Sequence, residues 1–459
     1  VVEADYLVVG AGATGLAFTD ALIDHADARV AIVDRRHSVG GHWLDAYPFV
    51  QLHQASSFYG VASTLLGGDR VQQQGPEAGL YERAGVSEIL AYYGRVLNDR
   101  MIRSGRVELL PSCEYLGDRQ ILSRVSGERF EVRQGCRIVD ARYLAPDIPA
   151  DTPPPFEVGQ GVHVIPVNDL AVLDRAPSEF VIVGSGKTAT DACIWLMARG
   201  VDPDRICWVR PRDPWMLNRA VVQPDPAVFL GMAADLMQAA AAASSLDEVF
   251  LGLEDAGVMV RIDRSVTPTM AKAPTLATWE LDLLRTIERV VRLGHVRRVE
   301  PGRLTLEDGA VALANDAVVV HCAASGLQNP PLVPVWGGSA ITLQPIRAGF
   351  PCFGAALVGY VEATREDEPE KNRLCPPSSY GNTLADWATM NVLGARAAAS
   401  FGAEPDIRAW ADGVALNPAR VPPGDGDRAE VSEALRRLQA HAPEGLDRLT
   451  ALAGTGLRP

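Results

Sequence analysis

Two short stretches of this 459-residue chain carry residues at spacings that suit dinucleotide binding. The first is Gly10-Ala-Gly12-Ala-Thr14-Gly15, directly after the apolar run Tyr6-Leu-Val-Val, with Asp34 nineteen residues past Gly15. The first glycine permits a tight turn, the second lets backbone approach a pyrophosphate, and the third lets helix and strand pack closely. The start of the following helix then offers unpaired N–H groups and a positive dipole end to the phosphates. Asp34, at the end of the next strand, can accept hydrogen bonds from a ribose diol, and Arg35 stands beside it in the same expected site. A glycine triplet alone is weak evidence; between a strand and a helix, with an acid at this distance, it is strong.

The second stretch is Gly184-Ser185-Gly186-Lys187-Thr188-Ala189, after Phe180-Val-Ile-Val. Alanine is an accepted third residue of the motif. Gly-Lys-Thr also ends a nucleoside-triphosphate loop, but that loop needs a glycine five residues before Gly186, where Val181 stands. After the next strand the expected acid is missing, and Arg210-Pro-Arg212 takes its place. Guanidinium groups there suit a 2′-phosphate held by two parallel hydrogen bonds, so the expected nicotinamide cofactor is NADPH rather than NADH.

The elements that must position these residues repeat one grammar: apolar run, glycine turn, helix, apolar run. The first unit runs through a helix to about Ile23 and into Val30-Ala-Ile-Val-Asp34; the second through a helix to Arg199 and into Ile206-Cys-Trp-Val. Ala189, Ala192, Cys193 and Leu196 recur with helical period and mark a buried face, and Gly200 is the expected C-cap. Strands that are apolar throughout imply parallel sheets covered on both faces. The expected fold class is α/β, with two Rossmann-type domains. The first is discontinuous, 1–150 and 320–459; the second spans 151–319 and carries a helical insertion at about 226–290. Short antiparallel strands are expected over 107–145, helices over 226–243, 276–293 and 386–400, a buried strand over 317–320, and one or two amphipathic helices in the C-terminal tail.

Composition removes several other functions. A net charge of −14 argues against a nucleic-acid partner, which asks for a basic patch. Seven scattered cysteines include no Cys-x-x-Cys pair, which excludes a local dithiol relay or a zinc ribbon and suits a cytoplasmic location. The histidines show no metal-binding spacing, and no metal is expected. The most apolar stretch, around 227–245, contains Asp235 and reads as a soluble helix rather than a membrane span.

Two dinucleotide motifs in one chain suggest electron transfer between two dinucleotides, and the chain resembles the flavin-containing monooxygenases over roughly residues 5–400. Gly40-Gly41-His42-Trp43, continued by Tyr47-Pro48, is similar to that family's segment beside the flavin pyrophosphate. The strand ending in Ala-Ala-Ser325-Gly326 is similar to its late Ala-Thr-Gly strand. The resemblance implies FAD at the first motif and NADPH at the second. It implies a small-molecule substrate with a nucleophilic nitrogen or sulfur, and oxygen transfer from O2 through a flavin hydroperoxide. A homodimer is left open, and the arginine- and alanine-rich composition of a high-GC bacterial gene suggests secondary metabolism. On the same alignment Gln54 falls near a family asparagine at the flavin's reactive edge, while Asn218 and Arg219 are placed to reach the nicotinamide–flavin junction. The chain departs from the family where Phe-x-Gly-x-x-x-His-x-x-x-Tyr/Phe is expected: only Gly159 and His163 match. An NADPH-dependent flavin oxidase or dehydrogenase, and a binding protein without catalysis, are the alternatives. Substrate choice is expected to lie in the insertion, with Met232, Leu236, Met237, Phe250 and Met259 as its apolar residues.

Overall fold

The computed structural model describes residues 1–323 and 330–454, so Ser325 and Gly326 of the expected flavin site lie outside the described residues. Strand β1 (Tyr6–Val9) leads through the first glycine turn into α1 (Ala13–His25) and returns as β2 (Val30–Val33). Strands β3 (Val107–Leu110) and β4 (Arg137–Asp140) follow. The second unit holds β5 (His163–Pro166), β6 (Phe180–Val183), α2 (Lys187–Ala198) and β7 (Ile206–Val209). Strand β8 (Pro214–Asn218) follows, and the insertion then contributes α3 (Pro226–Ala242), α4 (Leu246–Asp255) and β9 (Met270–Leu276). After β10 (Val290–Val291) and β11 (Val318–His321) the chain crosses back into β12 (Ala340–Thr342). It ends in α5 (Pro351–Thr364), α6 (Leu384–Gly402) and α7 (Ala429–Ala453).

Two five-stranded sheets result, in the orders β12-β4-β1-β2-β3 and β5-β11-β6-β7-β10, parallel throughout. Every residue of β2, β6, β7 and β11 is buried, as apolar strands covered on both faces should be. The helical face read from the sequence is the face α2 buries: Ala189, Ala192, Cys193 and Leu196 are all inside. Gly200 follows that helix with φ +87°, a left-handed end that glycine adopts without strain.

The two units repeat in detail. Gly10 (φ +115°) donates its N–H to Val33 O at 2.9 Å, and Gly184 (φ +137°) donates to Val209 O at 3.0 Å. Ala141 N–H reaches Val9 O at 3.0 Å, and Cys322 N–H reaches Val183 O at 2.9 Å. Each glycine turn is thus framed by the strand ends on either side of it.

Two sequence expectations change. Residues 107–145 are not all antiparallel: β3 and β4 belong to the first parallel sheet, and only Cys113–Gly117, Gln120–Ser123 and Arg129–Glu131 form an antiparallel meander. The helix expected over 276–293 shrinks to Thr278–Leu284, because β9 pairs in parallel with β8 on one side and β10 pairs with β7 on the other. The buried strand expected over 317–320 is β11, Val318–His321; it lies in the second sheet, between β5 and β6, and the crossing to the first sheet follows it. The tail forms one helix, α7, which packs along α3 so closely that Gly445 lies against the Met237 backbone.

Candidate functional site

Both helices that follow a glycine turn begin bare. Their N-caps are Gly12 and Gly186, no side chain caps either one, and neither has an acid in its first turn. Elsewhere Asp225, Ser245 and Thr383 close helix starts with side-chain oxygens. An uncapped start leaves backbone N–H groups unsatisfied and the dipole unopposed, which is the condition for holding an anion. A Cβ added to Gly12 would meet only Gly41 Cα, at 3.6 Å, and one added to Gly186 would meet nothing within 4 Å. Both turns therefore fit a diphosphate.

Around the first turn, Gly40 donates its N–H to Ala11 O at 3.0 Å, which lays Gly40-Gly41 over the glycine loop. Both residues have positive φ, +124° and +58°, and Gly41 approaches Gly12 more closely than any side chain would allow. Asp34 accepts Ala11 N–H at 2.7 Å and Arg36 N–H at 2.8 Å, one on each oxygen. It ties the turn to the end of β2 and keeps lone pairs for a ribose. Arg35 is exposed beside it, and Thr14 Oγ1 is 3.3 Å from Ala141 O. Trp43 is buried and donates to the Tyr59 hydroxyl at 2.7 Å; the His42 ring tilts against it. Burial, then the nearby Arg36 guanidinium, pushes the His42 imidazole down to about 4, so it is neutral at neutral pH.

At the second turn the arginine clamp differs from its sequence expectation. Arg210 is not exposed: it is 1% accessible, stacks 4.5 Å from the Trp208 ring centre and pairs with Asp213 at 3.1 Å. Its Nε and Nη1 are buried without partners, two donors that a phosphate oxygen could satisfy. Arg212 is exposed, on the far side of Pro211. Lys187 is not a free phosphate ligand either. Its ammonium holds both oxygens of Asp191, at 2.5 and 2.6 Å, one turn on in the same helix, and the Tyr47 hydroxyl donates to the same carboxylate at 2.7 Å. Ser185 is buried in the turn, and Thr188 sits in the first turn of α2.

An apolar cavity of about 100 Å³ lies where α3, α6 and the segment at His53 and Gln54 meet. The α3 residues Phe229, Met232 and Leu236 form one wall and the α6 residues Trp387 and Met390 another. Of the insertion residues expected to choose substrate, Met232 and Leu236 reach this cavity; Met237, Phe250 and Met259 are packed in the core behind it. Gln54 and His53 line the cavity from the first domain. The Gln54 side-chain amide has no hydrogen-bond partner among the described residues. Asn218 and Arg219, expected at the nicotinamide–flavin junction, are both engaged by protein groups. Asn218 Oδ1 accepts Ala220 N–H and its Nδ2 donates to Gly257 O, so the amide fixes the end of β8.

Arg219 is wholly buried in a charge group that the sequence did not reveal. It holds Glu77 at 2.5 Å and Glu280 at 2.6 Å, and Arg83 holds Glu77 at 2.5 Å. Two cations face two anions, all at most 7% exposed. The Arg219 Nε also donates to His53 O and Thr275 Oγ1, each at 3.2 Å, and Thr275 donates to His53 O. Arg219 is therefore a positioning residue that sets the backbone beneath His53 and Gln54. These partners come from four separate segments, and no spacing in the sequence links them.

Residues 8–51 match the family model of an NAD(P)-binding Rossmann-like domain. The uncharacterized protein Rv2000 of Mycobacterium tuberculosis and the uncharacterized protein Mb2023 of Mycobacterium bovis are each 40% identical to this chain over 419 residues, 91% of it and 78% of theirs. Among solved structures, ε-caprolactone-bound cyclohexanone monooxygenase in its Loose conformation matches with a TM-score of 0.51 at 14% identity, covering 88% of this chain and 98% of that one.

Proposed function

We propose that this chain, which belongs to the family of the mycobacterial proteins Rv2000 and Mb2023 and has the fold of cyclohexanone monooxygenase, is an FAD-dependent, NADPH-consuming monooxygenase. The observation that carries the reading is the pair of bare helix starts, one beside each parallel sheet, together with an apolar cavity lined by a glutamine amide that has no partner among the described residues. When bound, the flavin supplies hydride acceptance and oxygen activation, and the protein needs no nucleophile or acid–base pair of its own. The start of α1 and Gly41 would hold the flavin diphosphate, Asp34 its ribose, and Trp43 would be its aromatic neighbour. The start of α2, with Ser185 and Thr188, would hold the NADPH diphosphate, and the unpartnered donors of Arg210 would take its 2′-phosphate. Phe229, Met232 and Trp387 exclude water from the cavity, and the Gln54 amide donates to oxygen as charge builds on it. The substrate is a small molecule with a nucleophilic sulfur or nitrogen.

The test begins with the absorbance spectrum of the purified protein, which should show bound flavin. NADPH oxidation under labelled O2 should then place one labelled oxygen in the product. NADPH oxidation that returns all of the oxygen as free peroxide, with every substrate class offered, defeats the insertion reading.

Two variants probe the roles assigned. Arg210→Ala should raise the KM for NADPH about 10- to 100-fold, as loss of a charge-assisted hydrogen bond predicts, and leave that for NADH nearly unchanged. Steady-state kinetics with both cofactors measures this, and equal changes would make Arg210 structural. Gln54→Leu removes a donor at nearly constant volume. NADPH oxidation should persist, while product formed per NADPH falls about tenfold or more and peroxide release rises to match.

A further inference from the structure

Among the described residues lining the cavity there is no aspartate, glutamate, lysine or arginine. Its polar groups are few. Asn391 donates to the Trp387 carbonyl within its own helix at 2.8 Å, and Thr275 is committed to His53 O. The Gln54 amide is reserved for oxygen in the reading above. That leaves His53, whose Nδ1 is buried with no partner. Burial first, then the charges of Lys187, Arg219 and Arg83, pushes this imidazole down to about 3, so it is neutral at neutral pH. A buried polar atom without a partner is costly, and a ligand that pairs with it recovers that cost.

We infer that the cavity takes a small uncharged molecule with an apolar body and a single hydroxyl, that the hydroxyl pairs with the unpartnered His53 imidazole, and that cationic amines are excluded. The inference rests on the monooxygenase reading, since it names the substrate of the same site. A hydroxyl both donates and accepts, so it pairs with either tautomer of a neutral imidazole. An ammonium group would lose its water and find no carboxylate, a penalty that an apolar wall cannot offset. Among nucleophiles this favours an uncharged thioether over an aliphatic amine, which is protonated at neutral pH.

Calorimetric titration of the full-length, FAD-loaded protein with three matched probes tests this: para-(methylthio)phenol, para-(methylthio)toluene and para-(methylthio)benzylamine. The phenol should bind about tenfold more tightly than the toluene, the worth of one hydrogen bond. The ammonium probe should bind at least about 100-fold more weakly than the phenol. In His53→Leu the phenol and the toluene should bind equally. In Met232→Trp, which fills the cavity, all three should be lost. The proposal is overturned if the amine binds as well as the phenol, if the hydroxyl preference survives in His53→Leu, if Met232→Trp leaves binding intact, or if none of the three binds the wild-type protein. The wild-type ranking requires no variant to fold. Binding is read without turnover, so a protein that ranks the probes as expected yet inserts no oxygen contradicts only the monooxygenase reading.

Discussion

Replacing Gly15 by alanine is expected to yield a protein without flavin. The added Cβ would stand 2.0 Å from Gly10 O and 3.2 Å from Val8 Cγ1. The first of these is backbone, and the Gly10 N–H is itself anchored to Val33 O. Helix α1 cannot retreat, because α5 closes its other side: a Cβ on Gly359 would lie 2.5 Å from Phe18 O. Backbone is packed on backbone at both faces of α1. Overpacking in a core costs about 1–3 kcal/mol when side chains can shift, and more where they cannot. The helix start should therefore move off the phosphate line, with loss of the flavin spectrum and a lower midpoint in chemical denaturation. Gly186→Ala is the contrasting variant. It has ordinary backbone angles and open space around its Cβ, so it should keep flavin and stability and weaken only NADPH. A Gly15→Ala protein that binds flavin as the wild type does would remove the first turn from the flavin site.

Glu280→Gln should destabilise the folded protein by about 3–5 kcal/mol, the usual cost of stranding one partner of a buried ion pair. The substitution leaves the Arg219 and Arg83 guanidinium groups sharing the single carboxylate of Glu77. Burial already lowers the hold of Arg219 on its proton, with Arg83 adding to the effect, so the site has no tolerance for a further unpaired cation. Denaturant titration measures the loss. The double variant Arg219→Met with Glu280→Leu should recover much of it, because an apolar pair of similar volume strands no charge. A single variant as stable as wild type would show that the group is solvated or relaxes freely.

The same charge group sets an acid limit. Burial alone would raise the Glu77 carboxyl, but hydrogen bonding to Arg83 and the charges of Arg219 and Arg83 outweigh it and hold it below its ordinary value. A depressed carboxylate adds stability that is complete above its unfolded value, about 4.3, and is lost as pH falls through the folded one. Stability should therefore decline below about pH 4, and less steeply in Glu77→Gln, as denaturation midpoints across pH would show.

Both βαβ units could be read from the sequence because their signals are local. A glycine at positive φ, an apolar run of four and a helical period of buried residues each depend on neighbours within about one turn. Gly10, Gly184, Asp34 and the buried face of α2 are where that reading puts them. The misread segment at 276–293 shows where local signals end. Its apolar residues suit a strand or a helix, and Val290–Val291 are extended because β7, about eighty residues earlier, offers them a hydrogen-bonding edge. The position of Arg210 at a strand end was legible; its burial on Trp208 was not, because that depends on what packs above the sheet. His53 and the Glu77, Arg83, Arg219 and Glu280 group were invisible for the same reason. Glu77 and Arg219 lie 142 residues apart, and Arg219 and Glu280 lie 61 apart. Nothing nearby in the chain marks a charge that will lose its water, since that loss is a property of the assembled interior. The sequence alone determined the two glycine turns and the helices that follow them; the tertiary structure decided which polar groups line the cavity.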